Sequence, residues 1–241
     1  MKLIVAGSTG FVATEVIRQA LSNPAITSIV ALGRRPAPEP QTTGPTADTT
    51  KLKSVILDDF DKDYPENVKK ELSGADACIW TIAITPSQLK TTPWEQTVKV
   101  CRDYAIRGIE TISQLPREGK GPLRFVYISG NNAERDQSKK PMILGDYCLL
   151  RGEAEARILE YAKQSHGTVE ACIAKPGLIN GPGRSAPILQ RIFLTVIGLP
   201  KIHVSDISAA LVHQVVNGFE KDTLFSDDMV RIARKAGGEG K

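Results

Sequence analysis

Apolar residues along the chain gather in short, nearly continuous runs, and between the runs they recur every three or four positions. The runs 2–6, 28–32, 53–57, 75–84, 124–129 and 169–174 predict six strands, and their almost unbroken apolar character is that of strands covered on both faces. Val12, Val16 and Ala20, each followed by Ala13, Ile17 or Leu21, describe one face of a helix that Pro24 stops. Further helices are predicted over 68–72, 94–112 and 147 to about 164, the last ending before Gly167. Strands that alternate with helices in this way predict an α/β fold, a doubly wound parallel sheet with right-handed crossovers. No internal repeat interrupts the alternation.

Two segments depart from the pattern. Residues 36–50 are rich in Pro, Thr and Gly, and the spacing predicts a mobile surface loop that orders on ligand binding. From Pro176 to Gly183 the chain is turn-rich, and the apolar stretch 188–199 and a short extended piece at 202–204 follow. A helix capped by Ser205 or Asp206 then carries Leu211, Val212, Val215, Val216 and Phe219, and residues 236–241 read as a frayed tail. We therefore read 1–183 as the core and 184–241 as a substrate-capping segment with C-terminal helices of the same domain, closing over the carboxyl ends of the strands, where open α/β sheets bind ligands.

Composition narrows the class. A chain of 241 residues with 41% hydrophobic content can bury one sizeable core. Its net charge is +4 and it has no run of five Lys or Arg, so nucleic-acid binding is not indicated. Cys78, Cys101, Cys148 and Cys172 stand singly in apolar stretches, as buried free thiols do. The first strand begins at once and no stretch of about 18 apolar residues occurs, which predicts a soluble cytoplasmic protein away from membranes.

Chemistry enters at the first strand. It runs into Gly7-Ser8-Thr9-Gly10-Phe11-Val12-Ala13, where Gly7 permits a tight turn, Gly10 lets backbone approach a pyrophosphate, and the following helix points unpaired N–H groups at its charge. Ala13 replaces the usual third glycine and still allows close helix packing. At the end of the second strand, where NAD enzymes commonly place Asp or Glu for the ribose, this chain has Arg34 and Arg35. Their guanidinium forks favour the 2′-phosphate of NADP, although two solvated surface arginines are the plain alternative.

Ser129 ends the fifth strand, and Tyr147 and Arg151 share one helix face four residues apart. A hydroxyl, a tyrosine and a cation so placed suit hydride-transfer chemistry on carbonyls. Together with Gly7–Gly10, Gly33-Arg34-Arg35, Asp59-Phe60, Cys101–Tyr104, Phe125–Ser129, 147–156 and Pro176-Gly177, they resemble an atypical short-chain dehydrogenase/reductase over residues 1–183, nearest the subgroup of HIV-Tat-interacting oxidoreductase-like proteins. The resemblance implies cofactor contacts from Gly7, Ser8, Thr9, Gly10, Phe11 and Val12. It implies that Asp59, with Phe60 beside it, meets the adenine amino group, and that Pro176-Gly177 lies beside the nicotinamide. Ser129 would hold the substrate carbonyl and Tyr147 would move the proton. An unperturbed tyrosine has a pKa of about 10 and needs a nearby cation to act as a base at neutral pH. The family's usual lysine is Arg151 here, which stays charged but places its donors differently.

Plainer roles stand beside these. Tyr147 can cover a helix end, and Arg151 can pair with Glu155, its i+4 neighbour. Trp80, Trp94, Met142 and Phe193 can line an apolar substrate pocket or belong to the core. His166, His203 and His213 lack metal-ligand spacing, so no metal is expected. Three functions follow. The first is an NADPH-dependent oxidoreductase for a small apolar carbonyl or alcohol, as a monomer or homodimer. The others are a non-redox isomerase, cyclase or lyase on the same scaffold, and an NADPH-binding regulatory protein.

Overall fold

The computed structural model describes residues 1–38, 46–117, 121–182 and 199–238. Strand β1 (Lys2–Ala6) lies near the middle of one sheet, paired with β2 (Ser28–Gly33) on one side and β4 (Ala77–Trp80) on the other. Strand β3 (Leu52–Ile56) extends the sheet beyond β2, while β5 (Leu123–Ile128), β6 (Val169–Lys175) and β9 (Thr223–Phe225) extend it beyond β4. The order is β3-β2-β1-β4-β5-β6-β9 and every pairing is parallel.

Strand periodicity divides the core. Leu3 and Val5 face one side, packing with α1 (Phe11–Leu21), α6 (Val204–Asn217) and α7 (Ser226–Gly238). Ile4 and Ala6 face the other, packing with α2 (Glu66–Leu72), α4 (Tyr104–Gln114) and α5 (Gly145–Gln164). Because successive side chains alternate, strands with both faces covered need apolar residues at nearly every position, which is why the runs were continuous. The doubly wound sheet expected from the sequence is the fold observed.

Four details differ from the sequence reading. The apolar run 75–84 yields only the four residues of β4, because β1 ends in the turn at Gly7 and its ladder with β4 closes at the pair Ala6 and Trp80. The helix expected over 94–112 is α3 (Trp94–Val98), then a π-helical turn at Lys99–Asp103, then α4. Helix α6 is capped by His203, whose Nδ1 accepts the Ser205 N–H at 3.3 Å; Asp206 sits in the first turn, where its charge suits the helix dipole. Lastly, much of 184–241 completes the core. Strand β9 is the seventh strand, α6 packs on α1, and α7 packs on α6. Strands β7 (Leu178–Asn180) and β8 (Lys201–His203) pair separately, while 183–198, with Phe193, lie outside the described residues.

Candidate active site

Parallel pairing puts the carboxyl ends of all the strands of the main sheet on one edge. The glycine loop follows β1, Arg34-Arg35 follow β2, Asp59 follows β3, Thr81 to Ile84 follow β4, Ser129 follows β5, and Pro176-Gly177 follow β6. The topology alone therefore gathers the residues singled out in the sequence.

The loop after β1 is built for close approach. Gly7 holds φ +84°, and a Cβ there would come within 2.5 Å of Thr81 Oγ1. Gly33 is also constrained, since its Cβ would meet Ser8 Oγ at 2.9 Å. Ser8 is fully buried and its Oγ has no hydrogen-bond partner among the described residues. No side chain caps α1 at Gly10, and no acidic residue occupies its first turn. A buried hydroxyl without a partner, beside an uncapped helix N-terminus, fits a dinucleotide pyrophosphate. Val12 lies in the core and Phe11 packs against it, so backbone rather than side chains would carry contacts there.

Arg34 and Arg35 are exposed, and neither side chain has an ion-pair or hydrogen-bond partner among the described residues. Asp59 Oδ1 accepts the Asp61 N–H at 3.0 Å, and that bond, with Lys99 and Lys62 nearby, holds the carboxyl below its usual range. Phe60 belongs to the core, its ring edge-on to Tyr64 and Trp80, which leaves its backbone for any ligand. Trp80 is likewise core, whereas Met142 is fully exposed and Trp94 half-exposed. At Gly177 a Cβ would fall 2.0 Å from the Pro200 carbonyl oxygen, so the glycine is required by packing against the C-terminal part of the chain.

Tyr147, on the first turn of α5, donates its hydroxyl to the Ile84 carbonyl at 2.8 Å. Burial pushes the phenol up to about 12, outweighing the lowering effect of Arg151. Arg151 is itself 2% exposed. Its Nη2 donates to the Ile128 carbonyl at 2.5 Å, its guanidinium lies 4.8 Å from the centre of the Tyr127 ring, and Nη1 has no hydrogen-bond partner among the described residues. The plain pairing with Glu155 is not formed. Glu155 is fully buried and accepts the Ser129 hydroxyl at 2.5 Å through Oε1, while Oε2 accepts Arg135 Nε at 2.8 Å and Lys175 Nζ at 3.2 Å. Lys175 also donates to the Ala133 carbonyl at 2.6 Å. The sequence reading missed Arg135 and Lys175. A lysine closing the apolar run Ala171–Ala174 was the available signal for Lys175, because a buried ammonium needs a partner.

Among the described residues no group of three His, Cys, Asp or Glu can hold a metal ion, and all four cysteines are free and buried. Burial also raises the Tyr64 and Tyr127 phenols, and it raises the Cys172 thiol to about 12. Folded values above the unfolded ones mean that the folded chain binds more protons at alkaline pH, so this stability is complete below the unfolded values and is lost as pH rises. Urea midpoints are expected to hold steady up to about pH 8 and to fall progressively between about pH 9 and 12; a flat profile there would contradict the burial of these groups.

No family model matches the chain. Among curated proteins, Protein FMP52, mitochondrial, from Candida albicans (strain SC5314 / ATCC MYA-2876), is 25% identical over 250 residues, spanning 97% of this chain and 98% of that protein. Solved structures match more widely. The dTDP-glucose 4,6-dehydratase DesIV of Streptomyces venezuelae, with NAD and TYD bound, superposes with a TM-score of 0.69 at 15% identity, covering 99% of this chain and 81% of that one. MoeE5, in complex with UDP-glucuronic acid and NAD, gives 0.68 at 17% identity over 99% and 83%. Vestitone reductase from alfalfa (Medicago sativa L.) gives 0.63 at 18% over 93% and 76%. What these structures share with the chain is the fold, a Rossmann-like doubly wound parallel sheet flanked by helices. No described helix is long and apolar enough to cross a membrane.

Proposed function

We propose that this Rossmann chain is an NADPH-dependent oxidoreductase of the atypical short-chain type, acting on a small, largely apolar carbonyl or alcohol. One observation carries the reading. Tyr147 and Arg151 reach from α5 to the residues after β4 and the end of β5, on the sheet edge that also holds the glycine turn and the uncapped start of α1. The bound dinucleotide would supply hydride. The backbone of residues 7–12 would hold its pyrophosphate, Asp59 its adenine, and Pro176-Gly177 would flank its nicotinamide. Ser129 holds the substrate oxygen, Tyr147 holds the proton that moves to or from it, and Arg151 is a fixed positive charge beside the phenol. Membership of the HIV-Tat-interacting oxidoreductase-like subgroup is supported by the same segments. Four free buried thiols suit a reducing compartment such as the cytoplasm.

The MoeE5 and DesIV structures hold NAD, so a preference for the phosphorylated cofactor rests on Arg34 and Arg35 of this chain. Replacing both by serine is expected to weaken NADPH binding at least about tenfold, since each charge-assisted bond to a phosphate contributes roughly 1.5–3 kcal/mol. NADH binding should stay within about twofold, as it has no phosphate to lose. Titration by cofactor fluorescence measures both; equal effects on the two cofactors would remove the assignment.

A second reading is favoured by the company of the fold, which includes the dTDP-glucose 4,6-dehydratase and a UDP-glucuronic acid 4-epimerase from Bacillus cereus. These names describe conversions whose products need not differ in redox state from their substrates. Product mass separates the readings: reduction adds two hydrogens and consumes the 340 nm absorbance of NADPH, isomerisation changes neither, and dehydration lowers the mass by one water without consuming NADPH.

A further inference from the structure

Ser129 has one hydroxyl proton, and the structure shows where it goes. Oγ lies 2.5 Å from Glu155 Oε1, and a carboxylate flanked by two cations only accepts. Glu155 is fully buried on α5, and its hydrogen bonds among the described residues all reach beyond that helix. Its second oxygen is gripped from two other elements, by Lys175 at the end of β6 and by Arg135 in the segment between β5 and α5. Both cations are tied down in turn, Lys175 to the Ala133 carbonyl and Arg135 to Thr223 Oγ1 at 2.9 Å on β9. A buried carboxylate fixed at one oxygen by two charge-assisted bonds has little freedom left at the other.

We propose that Glu155 is a positioning residue for Ser129: it engages the hydroxyl proton and thereby fixes Ser129 with its oxygen lone pairs, rather than its proton, toward a ligand at the sheet edge. The group that meets Ser129 in this arrangement is a hydrogen-bond donor, such as a substrate hydroxyl. A carbonyl oxygen is received only when the Ser129 proton leaves Glu155. This deepens the oxidoreductase reading, and its substrate consequence rests on that reading, but the positioning itself does not require turnover.

The test replaces Ser129 by cysteine, whose thiol reports on the charge it faces. In Ser129→Cys the thiol is expected to titrate above the ordinary value of about 8.5, and adding Glu155→Gln should lower the midpoint by at least about one pH unit. The midpoint is read from the pH dependence of alkylation by iodoacetamide, with the wild type, whose four thiols are buried, run in parallel as background. Glu155→Gln leaves Lys175 and Arg135 without their shared counter-charge, so the comparison is repeated with Lys175→Met added, which removes one of the stranded cations. Coincident midpoints with and without Glu155, in either background, overturn the proposal.

A second readout separates positioning from general structural support. Given turnover on a panel of small ketones and alcohols with NADP(H), Glu155→Gln should lower kcat for alcohol oxidation at least about tenfold in the wild type and less than about twofold in Ser129→Ala, because the serine through which it acts is gone. Equal losses in both backgrounds overturn the proposal. Absence of wild-type turnover on the whole panel would instead count against the oxidoreductase reading, with the thiol titration still deciding the role of Glu155.

Discussion

Tyr147→Phe is expected to lower carbonyl turnover at least about a hundredfold while leaving NADPH affinity within about twofold, the separation expected when a proton donor is lost and the cofactor cradle is intact. The proposed cradle, the loop after β1 and the start of α1, is remote in sequence from Tyr147. What the variant removes is a hydroxyl that donates to the Ile84 carbonyl at 2.8 Å, so a stability loss of about 1 kcal/mol should accompany it. That is far too little to explain a hundredfold fall in rate. The wild-type pH profile supplies an independent check. Burial holds Tyr147 up to about 12, so the residue keeps its proton throughout the neutral range. As a donor for reduction it predicts a rate independent of pH from about 6 to 10, and as a base for alcohol oxidation it predicts a rate that rises with pH over the same interval. Arg151→Met removes the influence that opposes burial and should move the alkaline limb higher still. Stopped-flow absorbance at 340 nm in both directions measures all three; a Tyr147→Phe enzyme with near-normal turnover would take Tyr147 out of the mechanism.

The sequence made the fold legible where physical constraints were local and repeated. Doubly covered strands must be apolar at nearly every position, so β1, β2, β5 and β6 stood out, and the glycine turn declared itself because a positive φ at Gly7 suits glycine. The reading stopped where long-range partners decide. The run 75–84 looked like one strand, yet a ladder is only as long as its neighbour, and β1 turns away at Gly7. Strand β9 has three residues, too few for a period, although Ser226-Asp227-Asp228 after it marks a helix start and Met229 and Ile232 supply the buried face of α7. In the site the same contrast appears on one helix. Spacing of four offered Glu155 to Arg151, but such a pair in water gains only about 0.5 kcal/mol. Burial takes each side chain to partners beyond the helix, Arg151 to the Ile128 carbonyl and the Tyr127 ring, and Glu155 to Ser129, Arg135 and Lys175.

Gly152→Ala is expected to cost at least about 3 kcal/mol of unfolding free energy, the upper end of what overpacking usually imposes. An added Cβ at this position in α5 would sit 1.7 Å from the Glu134 carbonyl oxygen and 2.1 Å from its carbon, and neither is a flexible side-chain end that can step aside. The segment crossing there is held against the helix by the Glu134 N–H on the Cys148 carbonyl at 3.0 Å and by Gln137 Nε2 on the Leu149 carbonyl at 3.2 Å. Moving it would also shift the Ala133 carbonyl from Lys175 and draw Arg135 from Glu155, so the carboxylate beneath Ser129 loses support along with the packing. The matched control is Gly130→Ala. That glycine follows Ser129, has no atom within 4 Å of an added Cβ and no positive φ, so alanine should be neutral or stabilising by less than about 1 kcal/mol, through the unfolded chain alone. Urea unfolding followed by circular dichroism measures both. Equal stability of the two variants would mean that the segment at Glu134 is not packed against α5 as described, and the buried link from Arg135 to Glu155 would fall with it.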